Sequence, residues 1–328
     1  MKRILPDTTL SCAVCGETSA TFWRVGVDHL LGGTQRHRAV RCTHCHTRRL
    51  DPRPDADTMA KYYAPDTYAR AEEPDSEVGK RLDAYAERLA AFASPISSSA
   101  GENFVLPALG DRRDTGDALD VGCGDGRFMA ALKRRGWDVT GTETDPVAAE
   151  LARNRTGATV HETALPPANG ACFNFISLLH VLEHVPDPRQ TLTGMRDLLT
   201  PNGRLLLVLP NADSLEADIF GVNWYHLDLP RHLWGFTPRS LTRLVETCGY
   251  HVEGVSYTPF LFAPQSLLRG FGAANGAIPG RHVGGTGRTA HGGAWQTKVF
   301  NALLSASDKL GKTFPGEIIE LVATRGGA

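Results

Sequence analysis

The stretch LDVGCGDGRF, residues 119–128, sets glycines at 122, 124 and 126 behind a short apolar run. Glycine inside regular structure costs roughly 0.5–1 kcal/mol relative to alanine, so three at alternate positions need a reason. The reason this pattern suggests is a backbone that turns sharply and passes close to a ligand. A strand that ends in Gly-x-Gly-x-Gly and opens a helix makes a nucleotide or nucleoside site, because the helix N-terminus offers N–H groups without helical partners. The dinucleotide fingerprint G-x-G-x-x-G wants glycine at 127, where this chain has arginine, and that argues against NAD. Asp120, at the strand end, would face a cation. Glu143 closes the next strand, the usual place for a carboxylate that accepts hydrogen bonds from two ribose hydroxyls.

The glycine loop sits within a rhythm of alternating strands and helices. DALDV and WDVTGTE read as strands, with GRFMAALKRRG as the helix between them. Helices then open three times on the same device, a capping residue followed by proline: Asp145-Pro146, Asp187-Pro188 and Thr237-Pro238. The runs FNFISLL and RLLLVLP are continuously apolar, as in strands covered on both faces, and EIIELVAT reads as a final strand. The expected fold is α/β, a doubly wound, mostly parallel sheet of Rossmann-like type. Residues 111–328 form its domain, with insertions at 211–236 and 257–315. The second insertion is glycine-rich, followed by a helical pattern over 295–310. Residues 51–110 are expected to be a helical linker or lid, with Leu82, Tyr85, Leu89 and Phe92 at helical spacing and a break over 93–104.

Residues 1–50 carry a different signal. Cys12/Cys15 and Cys42/Cys45 are two C-x-x-C pairs, separated by 26 residues. Two such knuckles can bring four thiolates to one tetrahedral ion, so a small zinc-ribbon-like module with structural zinc is expected. A redox dithiol is the alternative, and His37, His44 and His46 lie close enough to substitute as ligands. Cys123, Cys172 and Cys248 fall in apolar or turn segments and are expected to be buried. A net charge of −1 supplies no field to attract nucleic acid. No apolar run approaches the roughly 20 residues of a membrane span. A soluble cytoplasmic protein is expected.

LDVGCGDG, TGTETDP and FISLLHVLEHVPDP together resemble the successive motifs of class I S-adenosylmethionine-dependent methyltransferases, over about 117–256. The cysteine module is similar to a zinc-binding region found ahead of some members, including sugar C-methyltransferases. The resemblance implies that Asp120, Gly122, Cys123, Gly124 and Gly126 hold the methionine part of the cofactor, that Glu143 holds the ribose, and that Leu179 and His180 flank it. Glu162 stands where many members bind the adenine amine. The implied reaction is methyl transfer to a hydroxyl or carbon of a small molecule such as a sugar, quinol or natural product. An RNA methyltransferase and a non-catalytic scaffold are the rival readings. The first is opposed by the neutral charge, with RCTHCHTRR the only concentrated basic stretch, and the second by the intact glycine loop.

Methyl transfer needs an aligned, deprotonated nucleophile. His180, Glu183 and His184 would share one face if HVLEH were a helical turn, and His226 and His232 follow in WYHLDLPRHLWGF. This L-E-H pattern with a later His before W and F also resembles the ubiquinone O-methyltransferases, where two Glu and two His bind a divalent metal. Glu183, His184 and His232 match that set, and His180 replaces its first Glu. Three roles stay open: a second divalent metal at Glu183/His184/His232, a histidine general base without metal, or structural hydrogen bonding. His232 is the favoured base, followed by His184, with His180 a third catalytic candidate. Trp224, Tyr225, Trp234 and Phe236 are expected either to wall an acceptor or to be core.

Overall fold

The computed structural model describes residues 4–5, 10–29, 31–63, 77–93, 115–166, 172–258 and 316–326. The break expected over 93–104, the second insertion beyond residue 258 and the helix expected over 295–310 lie outside these, except for Ala93. Strands β1 (Ile4–Leu5), β2 (Ala20–Val27), β3 (Arg36–Cys42) and β4 (Arg48–Leu50) form an antiparallel sheet. Helices α1 (Ala56–Lys61) and α2 (Glu77–Ala90) follow.

The second unit begins at β5 (Asp117–Val121), helix α3 (Arg127–Arg134) and β6 (Asp138–Thr142). It continues through α4 (Pro146–Thr156), β7 (Val160–His161), β8 (Phe173–Leu179), α5 (Pro188–Leu198) and β9 (Leu199–Pro210). After the first insertion come α7 (Pro238–Thr247), β11 (Tyr250–Thr258) and β12 (Ile318–Arg325); α6 and β10 belong to the insertion and are described below. The seven strands lie in the order β11-β12-β9-β8-β5-β6-β7, and β12 alone runs against the rest. The doubly wound, mostly parallel sheet is therefore present.

The three expected caps are made as the sequence dictates. Asp145 accepts from Val147 N and Ala148 N, Asp187 accepts from Gln190 N, and Thr237 forms a reciprocal capping box with Ser240. Side chains of β9 alternate between the faces of the sheet, as a strand requires. Leu205, Leu207 and Leu209 join one half of the core, while Leu206 and Val208 join the other. The Leu206 side holds α2, α3 and α4; the Leu205 side is continuous with Cys12, Val14 and Leu50 of the N-terminal sheet.

The insertion at 211–236 explains that continuity. Its helix α6 (Leu215–Phe220) is capped by Ser214, and its strand β10 (Trp234–Gly235) pairs antiparallel with β4, Trp234 opposite Arg49. Leu50 N also donates to Leu233 O at 3.0 Å. The insertion thus completes the N-terminal sheet as its fifth strand.

Trp224, Trp234 and Phe236 are buried members of the core. One expectation is corrected here. Cys123 and Cys248 are buried, but Cys172 is exposed, because it stands just before β8 and outside its buried run.

Candidate active site

Parallel strands bring their carboxyl ends to one edge, and ligands in open α/β sheets bind there. At this edge the loop after β5 turns through three left-handed glycines. Gly122 and Gly126 are required by close packing: a Cβ would stand 2.5 Å from Val181 Cγ2 at the first and 2.8 Å from Ala152 Cα at the second. Gly124 differs, because at φ +54° its absent Cβ would meet nothing within 4 Å. Open space beside a left-handed glycine, ahead of a helix N-terminus, is a cradle for a ligand.

Glu143 is tied into this cradle. One carboxylate oxygen accepts from Gly124 N at 3.0 Å, and the other accepts from Thr144 N and Asp145 N at 2.7 and 2.9 Å. Asp120 is buried and accepts from Ser177 Oγ at 2.7 Å. Burial, reinforced by the charge of Glu143 and only partly opposed by Ser177, pushes its carboxyl up to about 7. Cys123 is buried within the same loop, and Leu179 ends β8, the strand that pairs in parallel with β5. Glu162 is paired with Arg153 at 2.8 Å.

After β8 the chain does not form the helical turn that HVLEH suggested. His180 adopts φ +57°, and only a tight turn follows, closed by His184 N donating to Val181 O at 3.0 Å. A left-handed non-glycine residue at a sheet edge is held there by its surroundings. His180 stacks on His226, with ring centroids 5.8 Å apart and planes 7° from parallel. Its Nδ1 lies 3.5 Å from Glu183 Oε1.

Glu183, His184 and His232 do converge. One carboxylate oxygen and one nitrogen from each histidine all lie within 4.8 Å of one another. The His184 and His232 rings meet edge to face at 4.6 Å. His184 Nδ1 lies 3.2 Å from Arg231 O and 3.0 Å from Tyr63 Oη, while His232 Nδ1 lies 2.8 Å from His226 O. A carbonyl oxygen only accepts, so His232 donates from Nδ1 to His226 O, while His184 Nδ1 stands between a carbonyl that accepts and the Tyr63 hydroxyl, which can donate or accept. Burial, then the charge of His232, lowers His184 to about 4, so its imidazole is neutral near pH 7.

Glu183 is 1% exposed, and neither carboxylate oxygen makes a hydrogen bond among the described residues. Burial opposes its ionisation, but His180, His184 and His232 outweigh burial and hold it below the usual carboxylate range. A buried carboxylate beside two imidazole lone pairs can hold a cation or receive a proton.

The four N-terminal cysteines also converge. Cys12 and Cys45 Sγ are 3.4 Å apart, Cys15 and Cys42 Sγ are 3.6 Å apart, and all four sulfurs lie within 4.8 Å. Each knuckle ends in a left-handed residue, Gly16 at φ +77° and His46 at +63°, which turns the chain back over its sulfurs. None of His37, His44 and His46 joins this group, and His44 instead contacts Arg243 at 3.0 Å.

Sequence reasoning missed Tyr63 and Arg231, which both reach His184 across the fold, and it named His226 without its stacking on His180. The one signal for Arg231 was its place directly before His232.

The profile of the family described as "Methyltransferase domain" matches residues 85–255. The chain is 32% identical over 200 residues to a protein named ubiquinone biosynthesis O-methyltransferase from Cereibacter sphaeroides, covering 57% of this chain and 76% of that one. It is 34% identical over 162 residues to the protein of that name from Dinoroseobacter shibae, covering 45% of this chain and 64% of that one. A solved structure from Thermotoga maritima, titled a SAM-dependent methyltransferase and possible histamine N-methyltransferase, matches at a TM-score of 0.44 and 18% identity, covering 75% of this chain and 90% of that one. Among the described residues, no helix is long and apolar enough to cross a membrane. The glycine cradle at the sheet edge and the match across more than half of the sequence have one meaning: this chain belongs to the methyltransferase-domain family and is an S-adenosylmethionine-dependent methyltransferase.

Proposed function

We propose that this methyltransferase carries the methyl group of S-adenosylmethionine to a hydroxyl of a small quinol-type acceptor, activated at Glu183, His184 and His232. The observation that carries the reading is the buried Glu183 carboxylate converging with one nitrogen each of His184 and His232, all within 4.8 Å of one another. The name that the two relatives share supports the acceptor class. In this reading Asp120, Gly122, Cys123, Gly124 and Gly126 hold the methionine part, Glu143 the ribose, and Leu179 and His180 the flank of the cofactor.

A divalent cation fits the three residues, since one carboxylate and two imidazoles suit a borderline metal better than Mg²⁺, which prefers oxygen. When bound, such a cation supplies a Lewis acid that lowers the pKa of the acceptor hydroxyl. The chain's own part is to orient that hydroxyl toward the methyl carbon and to place both imidazole lone pairs beside it. A second reading leaves out the cation and makes His232 the general base. The bond between His232 Nδ1 and His226 O favours it, because it leaves the lone pair on Nε2.

The four cysteines fit zinc. A tetrahedron with Zn–S bonds of about 2.3 Å has edges of about 3.8 Å, close to the observed 3.4 and 3.6 Å.

The test is incubation with S-adenosylmethionine and a panel of catechols and quinols, read by mass spectrometry for S-adenosylhomocysteine and the methyl ether. His232→Ala should keep cofactor affinity and lose turnover by on the order of 10²–10⁴-fold. A chelator that spares the cysteine-bound metal separates the two readings, since it inhibits only the cation-dependent enzyme. Near-wild-type turnover in His232→Ala would remove the residue from the chemistry.

A further inference from the structure

Arg231 directly precedes His232, yet it is a fully buried arginine, 0% exposed. Its guanidinium is held by two carboxylates. Asp228, in the same loop, accepts from Nε at 3.0 Å and Nη2 at 2.6 Å. Asp28 accepts from Nη1 at 2.9 Å and Nη2 at 2.7 Å, and it is itself only 1% exposed. Asp28 comes from the N-terminal sheet, immediately after β2, and lies 203 residues away in sequence.

The other end of Arg231 faces the site. Its carbonyl lies 3.2 Å from His184 Nδ1, and its planar peptide bond continues into His232. One residue therefore meets one histidine at Nδ1, alongside Tyr63 Oη at 3.0 Å, and sets the backbone placement of the other. Its side chain is anchored from outside the methyltransferase sheet. The same loop is held by Leu233 N and Trp234 N, which both donate to Glu183 O, at 2.9 and 3.1 Å.

We propose that Asp28 is a positioning residue for methyl transfer, acting through Arg231 on His184 and His232. The N-terminal sheet would thereby set the geometry of the acceptor half of the site. A bidentate arginine–carboxylate pair suits this task, because its fork fixes direction as well as distance. An asparagine at 28 keeps the size but presents an N–H₂ toward the guanidinium and can no longer accept at both oxygens.

This inference rests on the reading that His184 and His232 act on the acceptor, so its test has one arm that needs no acceptor. In protein labelled with ¹⁵N-histidine, long-range ¹H–¹⁵N spectra should show His184 in the Nδ1–H form. Asp28→Asn should convert it to a mixture of tautomers, with cofactor affinity by calorimetry and zinc content unchanged. In turnover, Asp28→Asn should lower kcat by roughly 10–10²-fold with little change in KM for S-adenosylmethionine. That loss should shrink when Asp28→Asn is added to His184→Ala, since the part that acts through His184 is already gone and only the part through His232 remains. An unchanged tautomer in Asp28→Asn, or equal losses in both backgrounds, overturns the proposal. If Asp28→Asn does not fold, Asp28→Glu, which keeps the charge and alters the reach, enters the same cycle. Wild-type turnover in His184→Ala alone would instead overturn the reading of the site, while the tautomer arm still reports on the clamp.

Discussion

Gly124→Val separates ligand space from folding strain more sharply than any other change in the glycine loop. The backbone at Gly124 is left-handed, φ +54°, and a side chain there costs roughly 1–2 kcal/mol whatever the space around it, and more when it is β-branched. Inside the protein the new Cβ meets nothing within 4 Å, so no packing penalty is added. Gly124→Ala should therefore lose about a few degrees in melting temperature, and Gly124→Val somewhat more, both while still folding. Their affinities should diverge, because the two valine methyls fill the space beside a backbone N–H already engaged with Glu143. A hundredfold weaker Kd for S-adenosylmethionine corresponds to about 2.7 kcal/mol, and Gly124→Val should lose at least that. Gly126→Ala is the opposite control. Its Cβ would press on Ala152 Cα at 2.8 Å, which overpacks the α3–α4 contact and adds about 1–3 kcal/mol to the strain. Calorimetry on the folded fraction reads affinity, and thermal melts read stability. Gly124→Val with wild-type affinity would refute the placement of the cofactor at this loop.

Protein purified without chelator should contain about one zinc per chain by elemental analysis, and less after Cys42→Ser; none in the native protein would remove the metal from the cysteine cluster. Asp120 supplies a pH test. Its carboxyl is raised to about 7 from an ordinary 3.8, chiefly by burial, so the folded chain keeps a proton that the unfolded chain has released. That contribution to stability is present at low pH and is lost as pH rises through 7. The cationic cofactor should bind more tightly over the same rise, as the carboxylate ionises. The slope should disappear in Asp120→Asn, and a pH-independent wild-type affinity would contradict it.

Much of the sheet was legible because its information is local. The apolar runs of β8 and β9 and the cap-proline pairs at 145, 187 and 237 each act within one turn or strand, and each appears where it was read. The residues that hold the histidines were not legible, because their partners are remote. Tyr63 meets His184 across 121 residues, and β10 is two residues long, too short to show a strand period. The spacing of His180, Glu183 and His184 fitted a helix and a tight turn equally well. Only the left-handed backbone at His180 decides between them, and no residue type announces it there.

This difference divides the site into two halves with different physical origins. The cofactor half is made of backbone: a turning loop, strand ends and one carboxylate that bonds to N–H groups of that loop and of its own segment. Such a half can be read from any chain that has the glycines. The acceptor half is made of side chains on loops, and loops keep such groups in register only when something rigid holds them. Here a second sheet supplies that rigidity through β10 on β4, Leu50 on Leu233 and Asp28 on Arg231. An exchange of acceptor specificity by grafting 211–236 alone would therefore carry the histidines without their frame. It should succeed only when residues 1–63 travel with the graft.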